Sequence, residues 1–126
     1  MKFLVIEDSS LYQKIHVKLL KNHFPEAEFL TAGDGWEGYQ VYEKEKPDYI
    51  LLDLLMPVMN GVEFLKLFRD KNPDTQTEIV VLSADVQRMV KEEVLDLGVL
   101  TFIHKPFTEE KAEELAEIIR GCRDAE

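Results

Sequence analysis

Short apolar runs alternate with stretches of helical period along the whole chain. Phe3-Leu4-Val5-Ile6 is apolar and partly β-branched, the signature of a buried strand. Ser9 or Ser10 can then cap a helix that carries Leu11, Ile15 and Leu19 on one face and closes at Pro25. Glu28-Phe29-Leu30-Thr31-Ala32 predicts a second strand, ended by Gly33-Asp34-Gly35. Trp36 to Glu45 has helical spacing, with Trp36, Tyr39 and Tyr42 placed inward. Tyr49-Ile50-Leu51-Leu52 is the most apolar strand and ends on Asp53. After a loop with Pro57 and Gly61, a helix is predicted from about Val62 to Lys71. Ile79-Val80-Val81-Leu82 forms a fourth strand ending at Ser83. Val86, Val90, Val94 and Leu97 then recur at helical spacing, with Gly98 placed as the C-terminal cap. Thr101-Phe102-Ile103 is the last strand. A final helix follows, capped by Thr108, with Glu109 and Glu110 in its first turn and Ala112, Leu115, Ala116 and Ile119 as its buried stripe.

Five strands alternating with five helices, the strands apolar on both faces, imply an α/β fold with a parallel sheet covered on both sides. The 126 residues make one domain, 1–126, with no repeats or linkers. Composition narrows the class further. At 45% apolar and 32% charged the chain can bury a core and keep a polar surface. Cys122 is the single cysteine, so no internal disulfide forms. No apolar run approaches the ~18 residues needed to cross a bilayer, and the N-terminus does not read as a signal peptide. A cytoplasmic location is expected, without membrane insertion. The 15 Lys+Arg against 25 Asp+Glu leave a net charge of −10, the wrong sign for direct nucleic-acid binding.

The polar residues at strand ends carry the chemistry. Ligands of open parallel sheets bind at the carboxyl ends of the strands. There the first, third, fourth and fifth predicted strands end in Glu7-Asp8, Asp53, Ser83 and Lys105. Each is common alone: a lone Asp there is usually a turn former or cap, and Asp8 could simply cap the first helix. Four such endings on one edge argue for a site. Two carboxylates ~5 Å apart at an effective dielectric of ~20 repel by roughly 3 kcal/mol, so a trio needs a cation. Mg²⁺, hard and oxygen-seeking, suits it.

Taken together, Ile6-Glu7-Asp8-Ser9, the stretch Asp53-Leu54-Leu55-Met56-Pro57-Val58-Met59-Asn60-Gly61, Leu82-Ser83-Ala84 and Lys105-Pro106-Phe107 resemble the response-regulator receiver domain, the chemotaxis CheY-like family of two-component signalling. The resemblance runs from Lys2 to about Arg120. It implies a flavodoxin-like fold of strand order 2-1-3-4-5, an order that also describes CheY itself. By the same resemblance Asp53 is the phosphoryl acceptor. Glu7, Asp8, Asp53 and the backbone carbonyl of Leu55 hold Mg²⁺, and Ser83 and Lys105 contact phosphoryl oxygens. The Lys105-Pro106 peptide is expected cis, and Leu55 and Asp85 flank the site and tune the phosphoryl lifetime. Phe102 stands where receivers often carry tyrosine, so an aromatic–Ser83 switch would work without a ring hydroxyl.

The implied function is a phosphorylation switch rather than an enzyme, with slow self-dephosphorylation. A histidine kinase or phosphotransfer protein would donate to Asp53, recognised along Ser10 to Lys18. A downstream protein target would read the fourth helix, fifth strand and fifth helix, around Arg88 to Glu92, Thr101 to Ile103 and Phe107 to Glu113. A stand-alone regulator is expected; the alternatives are a receiver excised from a larger regulator and a docking domain that works without phosphorylation. An aspartate-nucleophile phosphatase would need a general acid at Leu55, which cannot transfer a proton. A nucleotide carrier would need glycines where Glu7-Asp8-Ser9-Ser10 stands. Elsewhere, Trp36 reads as packing, His16 and His23 as surface or boundary positions of the first helix, and His104 as at most a neighbour of the site.

Overall fold

The computed structural model of the protein describes residues 1–84 and 88–124. Strands β1 (Lys2–Ile6), β2 (Glu28–Ala32), β3 (Tyr49–Leu52), β4 (Glu78–Ser83) and β5 (Thr101–His104) alternate with helices α1 (Ser10–His23), α2 (Gly35–Glu45), α3 (Gly61–Lys71), α4 (Arg88–Asp96) and α5 (Glu109–Asp124). All pairings are parallel, in the order β2-β1-β3-β4-β5. This is the expected receiver order.

Because side chains alternate across a strand, the sheet divides the core in two. Leu4, Ile6, Ile50, Leu52, Ile79 and Val81 face Tyr39, Tyr42, Phe64, Phe68 and Val94 of α2, α3 and α4. Phe3, Val5, Leu51, Val80 and Leu82 face Leu20 of α1 and Ala112, Leu115 and Ile119 of α5. The helices start where side chains satisfy their free N–H groups. Ser9 accepts from Tyr12, Asp34 from Glu37 and Thr108 from Lys111, and Asn60 and Glu63 form a reciprocal capping box. Gly98, after α4, has φ of +79°, a conformation open to glycine at little cost.

Two helix faces differ from the expectation. In α1 the buried residues are His16 and Leu20, whereas Leu11 and Ile15 are exposed and Leu19 is half-buried. The predicted stripe is the flank of the buried face, displaced by one position. In α2 the inward positions are Gly35, Gly38, Tyr39 and Tyr42, and Trp36 is 50% exposed, so its inward placement is corrected. Gly35 sets that rotation. Its N–H donates to the Met59 carbonyl at 3.2 Å, and a Cβ on it would lie 2.6 Å from that oxygen. The helix therefore turns its glycine, not its tryptophan, toward the β3–α3 loop.

Candidate functional site

The site grows out of the strand ends, where the main chain continues the ladders by one residue. Glu7 N–H donates to Ala32, Asp53 N–H to Ile6 and Lys105 N–H to Ser83, each to the carbonyl and at 3.0–3.1 Å. These bonds aim three chemistry-bearing residues from three strands at one edge. The β3–α3 loop closes around them. Gly61 N–H donates to Leu54, and a Cβ on Gly61 would lie 2.5 Å from the Asp53 carbonyl, so only glycine lets α3 start this close. At the loop tip Val58 has φ of +68° and Met59 N–H bonds the Pro57 carbonyl at 2.7 Å, a tight turn that leaves Val58 82% exposed.

Glu7, Asp8 and Asp53 come together as expected. Each offers a carboxylate oxygen, all within 4.8 Å of one another, with Glu7 and Asp53 buried and Asp8 exposed. Lys105 lies between the two buried acids, its Nζ 2.8 Å from Glu7 Oε2 and 3.0 Å from Asp53 Oδ2. The same ammonium sits 5.1 Å from the centre of the Tyr12 ring. Asp53 Oδ1 accepts the Leu55 N–H at 3.1 Å, and Glu7 Oε1 accepts the Ser9 N–H at 3.3 Å. Leu55 thus touches the site through its backbone while its side chain is exposed.

Electrostatics follow from this packing. Burial pushes the Glu7 carboxyl up to about 7; Lys105 pulls it back and Asp53 adds repulsion. Burial also opposes charge on Lys105, but its bonds to Glu7 and Asp53 outweigh that and hold its pKa above the ordinary lysine value. The internal ammonium offsets part of the trio's charge. An all-oxygen set of three carboxylates around one point fits a hard divalent cation, so these residues can hold one.

Ser83 is fully buried at the end of β4. It shares a sheet face with Val81, whose register partner is the half-buried Phe102. The Phe102 ring meets His104 edge-on at 5.2 Å, and Lys91 Nζ lies 5.8 Å from its centre. The Lys105–Pro106 peptide is cis. His104 is exposed, with its ring against Phe102. Asp85, the proposed tuning residue, and Val86 lie outside the described residues.

His16 is the residue that sequence reasoning misplaced. It is 2% exposed, not a surface position, and it packs between Tyr12 and the edge of Phe107, with ring centres at 6.0 and 5.5 Å. Burial lowers its pKa to about 4, helped by Lys105 and opposed by Asp53. Between 4 and the ordinary 6.5 the unfolded chain binds the extra proton, so this residue's contribution to stability is lost as pH falls through that window. Glu7, with a raised pKa, acts in the opposite sense. The expected result is therefore a difference: urea midpoints of wild type and His16→Leu diverge as pH falls from 6.5 to 4, by no more than one proton's slope. A constant difference would mean that His16 is not held neutral.

The site can be set against known proteins. The family model described as the response regulator receiver domain matches residues 3–119. The chain is 28% identical over 123 residues to Protein CcdB of Bacillus subtilis (strain 168), covering 95% of this chain and 98% of that protein. It is 28% identical over 116 residues to the probable C4-dicarboxylate response regulator DctR of the same strain, covering 92% of this chain but spanning only 50% of that relative's length. Among solved structures, the chemotaxis protein CheY4 of Vibrio cholerae superposes with a TM-score of 0.80 at 29% identity, covering 92% of this chain and 95% of that one.

Proposed function

The chain belongs to the response regulator receiver family, and from that premise we propose that it is a phosphoacceptor switch that receives a phosphoryl group on Asp53 and changes its affinity for a protein partner. The observation that carries this reading is the Lys105 ammonium bridging Glu7 and Asp53 beside Asp8 at the ends of β1, β3 and β5.

The donor is a phosphohistidine of a histidine kinase or phosphotransfer protein. An Asp53 carboxylate oxygen attacks phosphorus in line with the P–N bond. The O–P bond forms as the P–N bond breaks, and the imidazole nitrogen leaves with the electron pair. Lys105 follows the developing charge, exchanging Asp53 Oδ2 for a phosphoryl oxygen, and Ser83 donates its hydroxyl to another. The Leu55 N–H on Oδ1 orients the carboxylate. Asp8 and Asp53 would hold Mg²⁺, with Glu7 and the Leu55 carbonyl completing the protein's share. When bound, the ion supplies positive charge against the phosphoryl oxygens. Ser83 and Phe102, on one sheet face, carry the change to α4, β5 and α5, where the partner docks. With no described helix long and apolar enough to cross a membrane, a cytoplasmic setting suits this role.

The test is intact mass after incubation with acetyl phosphate, with Mg²⁺ and with EDTA. The expected result is a gain of one phosphoryl group with Mg²⁺ only. No gain under either condition would leave a receiver fold that docks without phosphorylation.

A further inference from the structure

A second surface lies on the side of α1 turned away from Phe107. Helix α1 carries Lys14, Lys18 and Lys21 and no Asp or Glu, in a chain of net charge −10. Their spacing of four and three residues puts the lysines on one stripe. All three are exposed, and among the described residues none of them forms an ion pair. Together with Val17 they wall a groove of about 480 Å³ whose floor is Phe29 and Thr31 of β2.

That floor is the edge of the sheet. Glu28 N–H and the Ala32 carbonyl bond toward β1. Alternation along a parallel strand then turns the N–H and C=O of Phe29 and Thr31 to the open side. The two residues whose side chains floor the groove therefore also present the free ladder groups. Lys14 to Lys21 spans about 10 Å of helix axis, and alternate residues of a strand lie about 6.7 Å apart. Acidic side chains at i, i+2 and i+4 of an added strand, spread over about 13 Å, cover that span. The intervening residues would fall beside the half-buried Leu30 on the opposite sheet face, where apolar side chains fit.

We propose that the α1–β2 groove docks an extended segment of a partner protein, alternating acidic and apolar residues, which adds to β2 as a sixth strand and pairs its carboxylates with Lys14, Lys18 and Lys21. Main-chain bonds supply affinity and the lysine stripe supplies selection. A helix would leave the Phe29 and Thr31 groups unpaired. A second copy would bring another −10 charge to the contact. The groove shares no residue with the Glu7, Asp8, Asp53 and Lys105 cluster, although Lys14 and Lys18 also fall in the Ser10 to Lys18 segment expected to meet the phosphoryl donor.

The test uses the full chain, ¹⁵N-labelled, titrated with a blocked heptapeptide alternating Glu and Val. Saturable shifts of the Phe29 and Thr31 amides, slowed exchange of both, and at least tenfold weaker binding to K14Q/K18Q/K21Q are expected. Asp53→Asn should bind as wild type, which separates this surface from the phosphoacceptor reading. The exposed lysines leave the fold intact, checked by the variant's unchanged amide spectrum elsewhere. No saturable shift, equal binding of a Lys–Val peptide, or shifts that spare Phe29 and Thr31 would overturn the proposal. Concentration-dependent shifts of those amides without peptide would make a second copy the occupant and overturn it too.

Discussion

On the phosphoacceptor reading, Asp53→Asn is expected to take up no phosphoryl group from acetyl phosphate under conditions that load the wild type, and to fold at least as stably. The first half follows from chemistry: an amide is a poor nucleophile toward phosphorus. The neighbouring carboxylates do not replace it, because Glu7 is buried against Lys105 with its pKa raised to about 7, while Asp8 is exposed and lacks the Lys105 contact. The second half follows from charge. The substitution removes one of three carboxylates within 4.8 Å and leaves Lys105 paired with Glu7, so like-charge repulsion falls. Intact mass and urea midpoints on one preparation check both. Residual uptake near the wild-type level would place the acceptor elsewhere.

Lys105→Met is expected to produce the largest loss of stability among changes at the site. It leaves Glu7 and Asp53, 2% and 5% exposed, with no internal cation. Breaking a buried pair by removing one partner costs about 3 kcal/mol or more. The loss is greatest at pH 8, where Glu7 is charged. It shrinks toward pH 6, because Glu7, already raised to about 7, takes a proton instead. A divalent cation that binds the folded state restores stability by mass action, so Mg²⁺ should raise the variant's urea midpoint more than the wild type's. An equal rise in both would mean that Lys105 does not stand in for the ion's charge.

The sheet and the acidic edge were legible because their signals are local. Four apolar residues followed by a carboxylate read the same way in isolation as in the fold, and Thr108, Gly98 and the stripe from Ala112 to Ile119 lie where capping and periodicity place them. What escaped was rotation about helix axes. In α1, Leu11 and Ile15 compete for the core with His16, and hydrophobicity favours the leucine. Tertiary packing chooses the histidine, because Phe107 from the distant β5–α5 segment meets it edge-on. Trp36 loses its inward place to Gly35 for a similar reason, a contact with Met59 from another loop. The Lys105 bridge belongs with these. Sequence pointed the lysine at a phosphoryl group, but its contacts with Glu7 and Asp53 cross 98 and 52 residues of chain.

The strand order has a consequence for amide exchange. β1, β3 and β4 lie inside the sheet, clamped by core on both faces, so their amides should exchange only through global unfolding; β2 and β5, at the rims, can open by smaller local events. Glu7 and Asp53 are borne by the slow-exchanging centre, and Lys105 by the end of a rim strand. Asp53 is thereby anchored to the stiffest part of the molecule, while the lysine that pairs with it hangs from a rim strand that can give way by a smaller opening.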